Sequence, residues 1–167
     1  MGFSEATRAR LSVTPLDSEP DARECAQLMA SSEPWITLGR SFETALSIVR
    51  DPSREVYLAR DESGVAGFLI VCMTGAFVGY IQTVFIAPRC RSQGLGSRLV
   101  EFAEERILRV SPNIFMCVSS FNHGARRLYE RLGYSVVGEL TDYLVQGHSE
   151  ILLRKTIGPI MGPAVTR

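Results

Sequence analysis

One segment, residues 84–99, constrains the fold of this chain more than any other. An apolar run ends at Pro88, and a polar turn then leads through Gly94 and Gly96 into an amphipathic helix. Proline cannot donate to a β-ladder, so a strand has to stop there. Leu95 and Leu99 begin a helical spacing of apolar residues. The segment therefore predicts a strand, a tight turn and a helix that packs back on a sheet.

The start of that helix is a candidate anion site. The first turn of a helix leaves N–H groups unpaired, and the helix dipole adds positive potential there. Glycines let a phosphate approach the main chain closely. We expect a pyrophosphate to be held by main-chain N–H groups of Ser92, Gln93, Gly94, Leu95, Gly96 and Ser97. The segment lacks residues that a Walker loop and a dinucleotide fingerprint require. A helix that simply starts with two glycines and binds no ligand remains an open alternative.

A second segment, residues 122–134, follows a predicted strand and starts another helix. Together the two segments resemble the GNAT superfamily of N-acetyltransferases. The first is similar to its Arg/Gln-x-x-Gly-x-Gly/Ala acetyl-CoA motif, at Arg91, Gly94 and Gly96. The second is similar to its Asn-x-x-Ala-x-x-Leu-Tyr-x-x-x-Gly-Phe/Tyr motif, at Asn122, Ala125, Leu128, Tyr129, Gly133 and Tyr134.

The resemblance implies acetyl-CoA as co-substrate and a sheet splayed between its fourth and fifth strands. The pantetheine arm would lie in that gap, against Val84, Phe85 and Ile86 of the fourth strand. Asn122 would reach the pantetheine or phosphate region, and Tyr129 would lie near the thioester sulfur as general acid to the CoA thiolate. Alternatively, Tyr129 has only a structural role and packs its ring on the sheet.

The order of predicted elements agrees with an α+β domain: a mixed, mostly antiparallel and splayed seven-stranded sheet flanked by helices. The elements run β-α-α-β-β-β-α-β-α-β-β. Strands are expected at 11–16, 55–60, 65–72, 77–86, 114–118, 134–139 and 150–155. Helices are expected at 21–31, 41–49, 94–110 and 122–132, with Asp21, Ser41 and Gly133 as caps. Residues 1–10 and 158–167 are predicted tails around one domain, 11–157.

Transfer to an amine requires a neutral amine. A lysine-like amine is only about one part in 2,500 neutral at pH 7, which corresponds to roughly 4.6 kcal/mol. Relatives carry Glu or His five residues before the motif asparagine, where this chain has Cys117. Tyr80 matches a tyrosine that orders a water in some relatives, or is a half-buried strand residue. We expect either an acceptor of lowered pKa or deprotonation through an ordered water rather than by a direct carboxylate.

Other polar residues are weighed as well. Asp142, His148 and Glu150 lie near the last strands and could reach the cleft, but they are predicted to be surface groups. Glu104 is predicted on the solvent side of the helix that starts at Gly94. In relatives the linker between the first two helices covers the acceptor cleft, so Trp35 either lines that cleft or anchors a buried turn.

Composition excludes several classes. The 18 basic and 18 acidic residues cancel, which argues against nucleic-acid partners. No apolar run is long enough to span a bilayer, and no signal peptide is evident, so a cytoplasmic protein is expected. The four cysteines show no metal-ligand spacing, so no metal is expected.

The expected activity is transfer of an acetyl group to a primary amine of a small molecule or of a peptide or protein N-terminus. Two alternatives stay open. One is transfer of a longer acyl group, and the other is a non-catalytic acyl-CoA sensor or interaction module. Homodimers are common in the superfamily, but nothing in the sequence establishes one.

Overall fold

The computed structural model describes residues 12–162. Within that range seven strands and four helices follow the predicted order. The strands are β1 (Val13–Pro15), β2 (Arg54–Asp61), β3 (Gly64–Cys72), β4 (Tyr80–Ile86), β5 (Asn113–Ser119), β6 (Ser135–Leu140) and β7 (Glu150–Thr156). The helices are α1 (Glu19–Ala30), α2 (Phe42–Val49), α3 (Leu95–Leu108) and α4 (His123–Arg131). The predicted tail at 1–10 lies outside the described residues, as do residues 163–167 of the other tail.

The strands form one sheet in the order β1-β2-β3-β4-β5-β7-β6. Every pair is antiparallel except β4–β5, which is parallel. The predicted fold class is confirmed. No helix within residues 12–162 is both long and apolar enough to cross a membrane.

The sheet opens between β4 and β5. Only two residue pairs join these strands, Tyr80 with Phe115 and Ile81 with Met116. Beyond Ile81 the two strands no longer pair, although β4 continues to Ile86 and β5 to Ser119. A register shift in the β3–β4 pairing, opposite Ile81, accompanies the opening. The splay implied by the resemblance is therefore present.

The two faces of the sheet carry different covers. Lys155 of β7 donates to Glu104 of α3 at 2.7 Å, so Ile151, Leu153 and Lys155 point toward α3. Alternate residues of β7, including Glu150, therefore point to the opposite face. That face is covered by the α1–α2 connection, since the Trp35 ring lies 5.9 Å from the Phe85 ring.

Three local predictions were wrong for identifiable reasons. Ser18, not Asp21, caps α1, and its hydroxyl accepts from the Asp21 main-chain N–H at 3.3 Å. The predicted strand at 77–86 begins only at Tyr80, because residues 73–79 form turns. Glu104 is 9% exposed rather than solvent-facing, because β7 brings Lys155 against it.

Candidate active site

Among the four α-helices of residues 12–162, α3 is the one whose N-terminus has no side-chain cap. Ser18, Ser41 and Asn122 cap α1, α2 and α4 with side-chain oxygens. The residue before α3 is Gly94, which has φ 84° and no side chain to cap with. The positive φ favours glycine, and the first N–H groups of α3 are left for another acceptor.

The glycine two residues later has a different structural reason. A Cβ on Gly96 would lie 3.1 Å from a methyl carbon of Leu128 in α4, so its absence allows α3 and α4 to approach closely. A Cβ on Gly94 would meet nothing within 4 Å. The first glycine therefore serves backbone conformation, and the second serves packing of the two helices that flank the gap.

The α3 N-terminus opens onto a cleft of about 830 Å³. That volume is in the range of pockets that hold small organic ligands. Residues from four places line it: the end of β4, the turn before α3, the start of α4 and the α1–α2 connection. Ten of the predicted site residues are among them: Val84, Phe85, Ile86, Arg91, Ser92, Gly94, Gly96, Ser97, Asn122 and Tyr129.

Three predicted site residues do not line the cleft. Leu95 is 2% exposed and belongs to the core. The Gln93 side chain turns back to donate to the Arg89 carbonyl at 2.8 Å. Gln93 lies in the turn and Leu95 is the first residue of α3, so only their main-chain N–H groups are placed to serve a ligand. Tyr80 is the first residue of β4, where the strand still pairs with β5, and so lies before the gap opens.

The main chain of β4 has hydrogen-bonding groups directed into the gap. Ala87 N–H donates to the Ala66 carbonyl of the β3 side at 2.9 Å. In an antiparallel ladder such bonded positions alternate, so Phe85 also bonds toward β3 while Val84 and Ile86 point their N–H and C=O groups away. Those groups face the side where β5 has separated.

Asn122 has a structural role that leaves part of its side chain free for another. Its Oδ1 accepts from the Ala125 N–H at 3.2 Å and caps α4. The side-chain amide N–H₂ keeps two donors. Asn122 is half-buried at the cleft wall, so those donors can serve a ligand in the cleft.

Tyr129 is a buried phenol at the cleft wall. Its side chain is 8% exposed, and burial raises its pKa to about 12. Its ring meets Tyr134 edge-on at 6.2 Å. The Tyr129 hydroxyl has no hydrogen-bond partner within residues 12–162, so its proton is available to a group in the cleft. A raised pKa keeps that hydroxyl protonated throughout the neutral range.

A second polar cluster lies on the face under the α1–α2 connection. Ser119 and Glu150 are directly paired across β5 and β7, and the Ser119 hydroxyl donates to Glu150 Oε1 at 2.6 Å. Cys117 lies one position earlier on the same face of β5, and the Tyr80 hydroxyl interacts with its sulfur. Glu150 is 4% exposed, so its prediction as a surface group was wrong.

Burial shifts the titration of this cluster. It raises the pKa of the Cys117 thiol and, more strongly, that of the Tyr80 phenol, whose ionisation the nearby Cys117 also opposes. Burial also raises the pKa of Glu150, which the Ser119 hydrogen bond and the charge of Arg40 partly offset. At neutral pH the phenol and the thiol therefore keep their protons.

Both interpretations of Trp35 hold together. Its ring is 9% exposed and packs on Phe85, as expected of an anchor. It also lines the cleft. The Trp35 carbonyl then accepts from the Arg40 N–H at 3.0 Å, which fixes the segment that carries Arg40 toward Glu150.

One known protein family matches this chain. The family model described as Acetyltransferase (GNAT) family matches residues 20–134. The chain belongs to this family. A curated relative, acetyltransferase Atu2258 of Agrobacterium fabrum, is 28% identical over 85 residues, or 51% of this chain. The chain spans about three fifths of that relative's length, 61%.

Solved structures share the fold over nearly the whole chain. An aminoglycoside 6'-N-acetyltransferase complexed with coenzyme A has a TM-score of 0.73 and 18% identity, covering 89% of this chain and 98% of its own. NAA60 of Arabidopsis thaliana, in complex with a bisubstrate analogue, has a TM-score of 0.72 and 16% identity, and the match covers 87% of this chain and 97% of NAA60. The spermidine/spermine N-acetyltransferase SpeG of Vibrio cholerae has a TM-score of 0.67 and 17% identity, and the match covers 89% of this chain and 93% of SpeG.

Proposed function

We propose that this protein transfers the acetyl group of acetyl-CoA to a primary amine. The observation that carries the proposal is the uncapped N-terminus of α3, which opens onto the cleft beside the unpaired edge of β4. Family membership supports acetyl-CoA as the donor.

The phosphates of the donor fit the turn before α3. Main-chain N–H groups from Ser92 to Ser97 meet the pyrophosphate, and the helix dipole adds favourable potential. Arg91 lines the same end of the cleft, with its Nε donating to the Ile86 carbonyl at 3.3 Å. Arg89 is already committed to Asp61, at 2.6 Å. Arg91 is therefore the preferred source of positive charge for the phosphates, ahead of Arg89.

The pantetheine arm fits the gap between β4 and β5. Its amide groups pair with the main chain of Val84 and Ile86, as an added strand would. A main-chain N–H at this edge is also placed to donate to the thioester oxygen as it gains negative charge in the tetrahedral intermediate. The gap thereby orients the thioester toward the face that carries Tyr80 and Glu150.

Tyr129 acts as general acid to the departing thiolate. A phenol with a pKa of about 12 is a weak acid toward a thiolate in water. The same desolvation that raises the pKa of Tyr129 also raises the pKa of a thiol beside it. The pKa values of the acid and of the leaving group therefore stay close to each other. The neutral amine attacks the thioester carbonyl, the C–S bond breaks, and the sulfur takes the hydroxyl proton. The amide nitrogen loses its extra proton to solvent, and Tyr129 regains one from solvent.

Amines are the proposed acceptors. The fold neighbours are, by their names, acetyltransferases of an aminoglycoside and of spermidine or spermine, and NAA60. A matched panel is therefore spermidine, kanamycin and a peptide with a free α-amino group. A buried carboxylate on the acceptor face, Glu150, suits a cationic acceptor.

The test measures coenzyme A binding by calorimetry and thiol release from acetyl-CoA with each amine. The expected result is binding, and turnover with at least one amine. Tyr129→Phe should lose turnover about 100-fold or more at unchanged coenzyme A affinity. Tyr134→Phe is the matched control, since it removes a neighbouring buried hydroxyl that does not line the cleft. Binding without turnover on any amine would indicate a sensor, and absence of binding would refute the assignment.

A further inference from the structure

Glu150 is a buried carboxylate whose hydrogen bonding is only half used. Its Oε1 accepts from the Ser119 hydroxyl at 2.6 Å, and no other hydrogen bond to its side chain forms within residues 12–162. Carboxylates are rarely buried to this extent unless they are paired or serve a function. The arrangement leaves Oε2 without a donor.

The surroundings of Glu150 come from four elements. Ser119 and Cys117 face it from β5, and Tyr80 faces it from β4. Arg40 approaches from the α1–α2 connection, and Tyr143 of the β6–β7 connection lies near Tyr80. Arg40 forms no ion pair with Glu150 among the described residues. Glu150 is therefore the one carboxylate of the cluster, beside a cation that does not neutralise it by contact.

The strand register places this carboxylate across the gap from the proposed thioester. Tyr80 and Ile81 pair in parallel with Phe115 and Met116, and the register shift after Ile81 adds one residue to β4, so the continued register brings Ser119 level with Phe85. The two strands have separated by that point. An amine that enters the gap from the face of Tyr80 therefore lies between Phe85 and Ser119, with Glu150 behind the Ser119 hydroxyl.

We propose that Glu150 is the base of the reaction and accepts the proton of the attacking amine through the Ser119 hydroxyl. The ammonium N–H donates to Ser119 Oγ, and the proton already on Oγ passes to Glu150 Oε1. The neutral amine then forms the N–C bond at the acetyl carbonyl, the C–S bond breaks, and the sulfur leaves with the Tyr129 proton. The remaining extra proton on the nitrogen is released to solvent, from which Tyr129 is reprotonated, so a neutral amide and a thiol result. This inference rests on the proposed function and supplies the base that Cys117, at its position on β5, does not.

Alternative bases in the cluster are ill suited. The Cys117 thiol and the Tyr80 phenol both keep their protons at neutral pH because they are buried. Arg40 cannot accept a proton. A water ordered by Tyr80 still has to pass its proton to a titratable group, and Glu150 is the carboxylate whose charge acts on Tyr80.

The experiment compares wild type with Glu150→Gln, Ser119→Ala and Glu139→Gln, using the amine of the panel that wild type acetylates fastest. Glutamine keeps the hydrogen bond from Ser119 but cannot accept a proton. Glu139 is an exposed glutamate on the neighbouring strand β6 and is the matched control. The readouts are kcat/KM from pH 6 to pH 10, coenzyme A affinity and far-UV circular dichroism.

The expected result is a pH-dependent loss. At pH 7, kcat/KM of Glu150→Gln should fall about 100-fold. The deficit should shrink by about tenfold per pH unit as the amine becomes neutral without help. Ser119→Ala should show the same trend with a smaller deficit, and coenzyme A affinity should not change. Glu139→Gln should follow wild type.

Several results would overturn the inference. A deficit of equal size at every pH would indicate a purely structural role for Glu150. Wild-type rates in Ser119→Ala at pH 7 would refute the relay, and this variant carries the test if Glu150→Gln does not fold. Either result leaves the proposed function standing, whereas a wild-type protein that acetylates no amine refutes both.

Discussion

Gly94→Ala tests the anion site with a change whose cost the structure specifies. Gly94 has φ 84°, and a Cβ built there meets nothing within 4 Å. The cost of alanine is therefore conformational rather than steric, about 1–2 kcal/mol for an L-residue in the left-handed region. For a chain of 167 residues each kcal/mol lowers Tm by about 2–4 °C.

The same change should weaken coenzyme A binding. Gly94 precedes the first free N–H groups of α3, and its added methyl group projects into the cleft. Loss of one hydrogen bond to a charged phosphate is worth about 1.5–3 kcal/mol, so Kd should rise about tenfold or more. Calorimetry with coenzyme A measures the affinity, and a thermal melt without ligand measures the stability.

A matched glycine separates the two effects. Gly138 in β6 also has open space around its Cβ direction but has no positive φ, so Gly138→Ala should change neither Tm nor Kd appreciably. If Gly94→Ala behaved like Gly138→Ala, with unchanged Tm and Kd, the reasoning from backbone conformation to anion binding would be refuted.

Two further predictions concern the cleft wall and the buried carboxylate. Asn122→Ala removes the side-chain cap of α4 and should cost about 1 kcal/mol, seen in a thermal melt, together with weaker coenzyme A binding by calorimetry; unchanged values would contradict both roles. Burial raises the pKa of Glu150 in the folded state, so the folded protein prefers the protonated carboxyl. The stability this contributes is complete below the unfolded pKa and is lost as pH rises through the folded pKa. Glu150→Gln should therefore raise Tm more at pH 7.5 than at pH 4, and a Tm difference that stayed constant with pH would contradict the assignment of buried charge.

Local sequence signals were sufficient to predict the part of the cleft that is proposed to bind acetyl-CoA. A strand stopped by Pro88, glycines at the start of α3 and an asparagine before α4 each act within a few residues. Such signals do not depend on the rest of the fold. The order of the elements followed because hydrophobic spacing and turn residues also act locally.

The polar cluster around Glu150, which is proposed to face the acceptor amine, could not be predicted, because it is formed by contacts that the sequence does not reveal. Glu150 and Ser119 are 31 residues apart and meet only because β5 pairs with β7 in one register. A shift of one residue would have moved Glu150 to the other face. Glu104 was misplaced for the same reason, since its partner Lys155 is 51 residues away. A glutamate that begins a predicted strand, directly before three apolar residues, was the available signal.

If main-chain N–H groups at the start of α3 hold the diphosphate of acetyl-CoA, backbone ¹H–¹⁵N spectra recorded during titration with coenzyme A should report the contact residue by residue. Large downfield amide proton shifts are expected mainly at residues 92–97, with none at the Ser18-capped start of α1. Saturable binding that leaves the amides of 92–97 unshifted would contradict this contact.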